Sequence, residues 1–345
     1  MTTADMPISQ TEPSSNRQCN RKSRRVSGGC SQRIGLLTAI VLVFSTLASA
    51  AAESLPEAPK RGSSPWGKDD QRGAANRMSH VTTLAAIRLI QRGEIYSLGR
   101  EYQEGMPMVS GRSYVLTIPA PAAPVGKNRI AGHEEFVATQ LGQVGTQLDG
   151  LGHVGIGDIF FNGIRQEEFV TPKGLTKLGI ENVGVFLTRG VLLDIAALKN
   201  TSRLDKGYEI TETDLKQALQ RQSVQIQTGD VVLIHTGWGS LWNVDNALHS
   251  SGQPGIGMQA ARFLAQHKIV LVGSDNWGID VIPSPIPDVI HPAHQILLTE
   301  NGIYTLENLD TSSLARDKVY EFAFFFAPLR LKGATGSPGN PVAIR

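Results

Sequence analysis

The sequence predicts one α/β domain built on a mixed sheet, and three observations carry that prediction. Short apolar and β-branched runs alternate with helical patterns from Thr82 onward. Many of the strand-like runs are short and hairpin-spaced, which disfavours a clean doubly wound parallel sheet. After Trp66 there is no internal repeat and no low-complexity tract, and the whole chain is 41% hydrophobic and 19% charged, an ordinary globular composition.

The elements follow in order. Thr82 to Arg92 carries apolar residues at helical spacing, with Gly93 just past its end. Glu135 to Leu141 reads as a strand leading into Gly142-Gln-Val-Gly-Thr-Gln-Leu-Asp149. Val183 to Leu187 and Val191 to Ile195 read as two short strands broken by Thr188-Arg189-Gly190. Thr213 to Arg221 is a helix capped by Thr211 or Thr213. Asp230 to His235 is a buried strand. Met258 to His267 is a helix feeding the strand Ile269 to Ser274. His294 to Leu298 begins a short helix, and Gly302 to Leu306 is a strand ending at Glu307. Phe322 to Leu329 is the last core strand, closed by Pro328. The domain is expected over 66–330, with a C-terminal tail over 331–345.

The N-terminal region stands apart. Residues 1–33 are rich in Ser, Arg and Gly. Ile34 to Ala52 is an apolar run without charge, preceded by Arg21, Lys22, Arg24, Arg25 and Arg33 and containing Ala48-Ser49-Ala50. A basic stretch, an apolar core and a small-x-small end predict a signal peptide over 1–50 and a secreted or periplasmic protein. A membrane is a partner only if that segment is uncleaved. Residues 51–65 then read as a linker punctuated by prolines. Both cysteines, Cys19 and Cys30, precede the apolar run, so a cleaved chain has no thiol or disulfide chemistry. Residues 1–50 hold six basic and two acidic residues, and their removal turns a net charge of +2 into −2. Neither balance calls for nucleic acid as partner.

Two clusters carry candidate chemistry. In the first, Gln147 and Asp149 share a face if the segment is extended, and His153 follows one turn later. A carboxylate with amide oxygens is a hard-oxygen set that suits Mg, Mn or Ca better than Zn. In the second, Asp288-Val-Ile-His291-Pro-Ala-His294 precedes a helix and Glu307 ends a strand, so His294 and Glu307 can converge at one sheet edge. His291 reads as a loop residue and His235 as a core histidine; His80, His133, His249 and His267 read as surface or structural. No nucleophile elbow, phosphate loop or dinucleotide fingerprint is present.

Taken together, these blocks resemble the cyclase-like metal hydrolase family, which includes bacterial kynurenine formamidases and isatin hydrolases. The resemblance rests on ordered segments from Trp66 to Leu329: WGKDDQRGAANRMS, YSLGREYQEGMP, QVGTQLDGLGH, GDVVLIHTGW, IVLVGSDNWGID and HPAHQILLTENGIYTLENL. It implies a compact swivelling β/β/α-type domain with a mixed sheet, expected as a homo-oligomer. It also implies a divalent metal, Mn or Zn, and hydrolysis of a carbon–nitrogen bond in a small-molecule substrate, as in an arylformamidase. Carried over, the metal positions fall on Gln143, Gln147, Asp149, His294 and Glu307, and the proton-transfer position on His153.

Two departures shape the expectation. Gln143 and Gln147 stand where the family motif has histidines, and amides bind Zn weakly. Pro107-Met-Val-Ser-Gly111 replaces a Pro-x-Trp-Pro-Gly segment, which predicts a missing aromatic wall. The leading expectation is an exported metal-dependent hydrolase of an amide, formamide, lactam or lactone bond. The alternatives are a non-catalytic small-molecule-binding protein and a metal-free acid–base lyase or cyclase.

Overall fold

The computed structural model describes residues 53–120 and 123–345. The expected signal peptide lies outside the described residues. Among those residues no helix is long and apolar enough to cross a membrane.

Apart from six strands of two residues each, the strands among the described residues are β1 (Ile95–Ser97), β2 (Tyr114–Thr117), β3 (Phe136–Thr139), β4 (Gln147–Asp149), β5 (Phe186–Asp194), β6 (Val231–His235), β7 (Leu271–Ser274), β8 (Tyr304–Glu307), β9 (Glu321–Phe326), β10 (Gly336–Pro338) and β11 (Val342–Ile344). Nine of them form one mixed sheet in the order β1-β11-β9-β5-β6-β7-β8-β4-β10. The central four, β5 to β8, are parallel, and the flanking pairs are antiparallel. The parallel strands read as continuous apolar runs because both faces are covered. Val191, Leu192, Leu193, Leu233 and Leu271 are fully buried.

The covering helices include α1 (His80–Ile87), α2 (Glu212–Gln222), α3 (Met258–Gln266) and α4 (Pro292–His294). Helix α2 starts at Thr211, whose hydroxyl accepts from the Asp214 amide while the Asp214 carboxylate accepts from the Thr211 amide, a reciprocal cap. Helix α4 continues as a wider π-type turn over Gln295–Glu300 that buries Ile296, Leu297 and Leu298.

Three expectations change. The two short strands expected around Thr188-Arg189-Gly190 are one strand, β5. A Cβ at Gly190 would lie 2.1 Å from the Phe322 ring, so glycine is there to admit that ring and marks no turn. Arg189 stays in register by pairing with Asp230 at 2.7 Å on one side and with Glu321 on the other. Residues 331–345, expected as a tail, supply β10 and β11 and complete both sides of the sheet. The segment 53–65, expected as a linker, lies against the body: the Gly62 amide donates to the Asn162 carbonyl at 3.0 Å, and Arg61 pairs with Glu168.

Candidate metal centre

The site is assembled by the pairing of β4 with β8. Their antiparallel register sets Gln147 opposite Glu307 and Asp149 opposite Thr305. Opposed residues and residues two apart share one face. Gln147, Asp149, Thr305 and Glu307 therefore point together, and all four are buried. The turn before β4 is held by Gly145, whose φ of 61° and absent side chain let the Tyr102 ring sit where a Cβ would be. Thr146 donates its hydroxyl to the Asn308 carbonyl at 2.7 Å and locks that turn to the end of β8.

His294 enters from α4. Its Nε2 lies 3.0 Å from Glu307 Oε1 and 3.7 Å from Asp149 Oδ2. Its Nδ1 is held by Asp280, which also accepts from the Ala293 amide at 2.6 Å. The Gln147 amide donates to Glu307 Oε2 at 2.6 Å, and the Gln143 amide reaches the same oxygen at 3.4 Å. Thr305 donates to Asp149 Oδ2 at 3.0 Å. His153 Nε2 stands 3.8 Å from Asp149 Oδ1, with its side chain 25% exposed. All six candidate residues from the sequence are thus brought to one place.

The electrostatics follow from burying three carboxylates around one imidazole. Burial alone works against protonation of His294, but Asp280, Asp149 and Glu307 outweigh it and hold its pKa well above the ordinary value. Burial, reinforced by the Asp149 charge, raises the pKa of Glu307 against the pull of His294. Burial would also raise Asp149 and Asp280, yet His153 and His294 hold the first below the usual carboxylate range, and His294 and His291 do the same for the second.

The donor set fits a divalent cation. Asp149, His294 and Glu307 each offer one ligand atom, and these atoms lie within 4.8 Å of one another. Gln147 Oε1 is buried without a hydrogen-bond partner, a spare oxygen of the kind hard cations accept. Asp280 takes the Nδ1 side of His294, which leaves Nε2 as the ligand atom, the usual outer support of a metal-bound histidine.

A cavity of about 340 Å³ opens onto this cluster, lined by Val109, Arg112, His153, Trp277 and His291 among others. Trp277 supplies the aromatic surface that the Pro107–Gly111 segment lacks. Residues 107–111 contribute Val109 instead. The sequence reading passed over Asp280 and set His291 aside. Both belong to the site, with His291 Nδ1 3.7 Å from Asp280 and its ring 5.5 Å from that of His294. The spacing Asp280-x10-His291-x2-His294 was the available signal. A second cavity of about 380 Å³ lies beside His235 and Asp275. There His235 Nδ1 lies 2.7 Å from the Thr311 hydroxyl and 3.5 Å from Asp275, and the residue expected in the core lines the cavity wall.

The family model described as Putative cyclase matches residues 82–281. The chain belongs to the cyclase family. A crystal structure described as that of a novel cyclase is similar at 34% identity and a TM-score of 0.75, covering 81% of this cyclase-family chain and 96% of the other. Isatin hydrolase A from Ralstonia solanacearum shares the fold at 18% identity and a TM-score of 0.55, over 78% of this chain and 98% of that one. Isatin hydrolase A from Labrenzia aggregata, bound to benzyl benzoate, does so at 19% identity and 0.54, over 77% and 98%. No curated protein matches this cyclase-family sequence.

Proposed function

We propose that this cyclase-family protein is an exported metal-dependent hydrolase that cleaves an amide, formamide, lactam or lactone bond of a small molecule. One observation carries the reading. Three buried ligand atoms, from Asp149, His294 and Glu307, converge within 4.8 Å at the wall of a cavity that also holds His153. The isatin hydrolases sharing the fold are in keeping with it, and the apolar run Ile34 to Ala52 supports export.

Mn or Zn held by Asp149, His294 and Glu307 would supply a water nucleophile at neutral pH and polarise the scissile carbonyl. The chain's own groups do the rest. Asp280 fixes the ring of His294. The Gln143 and Gln147 amides orient Glu307 through its Oε2. His153, about a quarter exposed where it lines the cavity beside Asp149, carries the proton to the leaving nitrogen or oxygen. Trp277 and Val154 give a flat apolar wall for the body of the substrate, and Arg112 offers a cation for a carbonyl or carboxylate.

Metal content of the purified protein by mass spectrometry, beside Asp149→Ala, tests the reading. About one equivalent of Mn or Zn, lost in the variant, is expected. A folded wild type that takes up neither metal after their addition refutes it.

A further inference from the structure

His291 lines the same cavity as the metal cluster but takes no part in the ligand set. Its backbone is held at φ 50° and ψ 48°, directly before Pro292. Left-handed backbone is uncommon in a residue other than glycine, and a following proline pushes its predecessor towards extended conformations. Two local preferences are thus overridden at one position, as happens where a side chain has to be aimed. The side chain is 39% exposed, yet its Nδ1 is buried without a hydrogen-bond partner. A side chain kept for packing alone has no use for an orphaned nitrogen.

The orphan has a direction. Nδ1 lies 3.7 Å from Asp280 Oδ2, too far for a hydrogen bond. That oxygen is already taken by His294 Nδ1, and Asp280 Oδ1 by the Ala293 amide at 2.6 Å. A buried carboxylate at this distance still draws the imidazole proton to Nδ1. The neutral ring then presents a lone pair at Nε2, on the edge left open, and Nε2 is an acceptor. On the same wall Arg112 and the Trp277 indole can only donate.

The place of the reacting bond rests on the hydrolase reading. A carbonyl polarised at Asp149, His294 and Glu307 sits beside the His294 ring, which has the ring of His153 at 6.5 Å and that of His291 at 5.5 Å. As the carbonyl carbon is attacked, an amide nitrogen turns pyramidal and gains a lone pair that has to face its proton donor. A group that accepts the nitrogen's own N–H fixes that orientation. A lactone oxygen and an N-alkylated amide have no hydrogen to give.

We propose that His291 Nε2 accepts the N–H of the scissile amide and turns the nitrogen lone pair towards His153. His291 thereby selects secondary amides, formamides and lactams over lactones and N-alkylated amides, because a site built around a substrate N–H rejects analogues that lack it.

Formanilide, N-methylformanilide and phenyl formate differ only at the group joined to the formyl carbon. Calorimetric titration of the metal-free wild type, which needs no turnover, is expected to show formanilide binding about tenfold or more tighter than N-methylformanilide. His291→Asn keeps a residue at ease in left-handed backbone and withdraws the acceptor; it is expected to bind the two anilides equally and to retain the metal content of the wild type. In the metal-loaded enzyme the same variant is expected to lower kcat/KM for formanilide by about tenfold or more and to leave that for phenyl formate within a factor of about three. Equal binding of the two anilides by the wild type, or binding of neither, overturns the proposal. So does a variant that loses phenyl formate hydrolysis as severely as formanilide hydrolysis. A wild type that prefers formanilide in the calorimeter and cleaves none of the three after metal loading overturns the hydrolase reading and leaves the His291 contact standing.

Discussion

Gln147 donates its side-chain amide to Glu307 Oε2 at 2.6 Å across the β4–β8 ladder. An amide thus stands where the family motif has an imidazole, and it is spent on orienting a carboxylate. Replacing it by histidine should return a ligand that zinc prefers. Gln147→His is expected to bind Zn at least tenfold more tightly than wild type, measured by competition with a chromophoric chelator. An unchanged Zn affinity in a folded variant would show that position 147 does not face the metal.

Asp280 sets which nitrogen of His294 faces the cluster, through its contact with Nδ1. Outer-shell carboxylates of this kind are worth about 10–100-fold in metal affinity. Asp280→Asn is expected to weaken metal binding by that factor while His153→Gln leaves it unchanged. Equal affinities in the two variants would remove Asp280 from its supporting role.

His153 is the residue proposed to move the proton, with its Nε2 3.8 Å from Asp149 Oδ1. His153→Gln is expected to lower kcat by about 10²–10⁴ on any substrate the wild type hydrolyses, with metal content retained. Screening formamides, lactams and lactones supplies the assay. A kcat within a factor of three or so of wild type would reassign the proton transfer.

His249 is buried, neither ring nitrogen has a hydrogen-bond partner, and its ring packs edge-on against Trp242. Burial, aided by the Arg100 charge, pushes its pKa down to about 4. The folded state therefore binds fewer protons than the unfolded state between about pH 6.5 and 4. Stability is full above that window and falls as the pH drops through it, by up to about 3 kcal/mol. Denaturant unfolding at several pH values should show this slope, and His249→Phe should flatten it. An equal slope in both proteins would assign acid sensitivity elsewhere.

Gly190 admits the Phe322 ring into β5. Gly190→Ala should cost about 1–3 kcal/mol through overpacking, and Phe322→Leu should relieve part of that cost. A thermal melt of the single and double variants tests the coupling, and strictly additive effects would contradict it.

Much of the site was legible because period-two spacing transmits geometry directly. Gln147 and Asp149 had to share a face once their segment was extended, and Glu307 ended a recognisable strand. The strand β5 was misread because glycine inside an apolar run looks like a turn, while its cause, the Phe322 ring, lies 132 positions away at its partner strand Glu321–Phe326. Asp280 was hidden for a similar reason. Its value depends on the chain returning through Ile282 to Val289 to bring His291 and His294 back onto it. The strands β10 and β11 were missed because three-residue strands carry too little pattern to separate from a tail.

Those two last strands have a consequence for the order in which the molecule can be made. Strand β4, which carries Gln147 and Asp149, is flanked on its outer side only by β10, and β1 is joined to the sheet only through β11. A chain emerging from the ribosome has synthesised every candidate ligand, Glu307 last, before it owns Gly336–Pro338 and Val342–Ile344. The outer edge of β4 is therefore covered last, and loss of a dozen C-terminal residues should leave Gln147 and Asp149 on an open sheet edge.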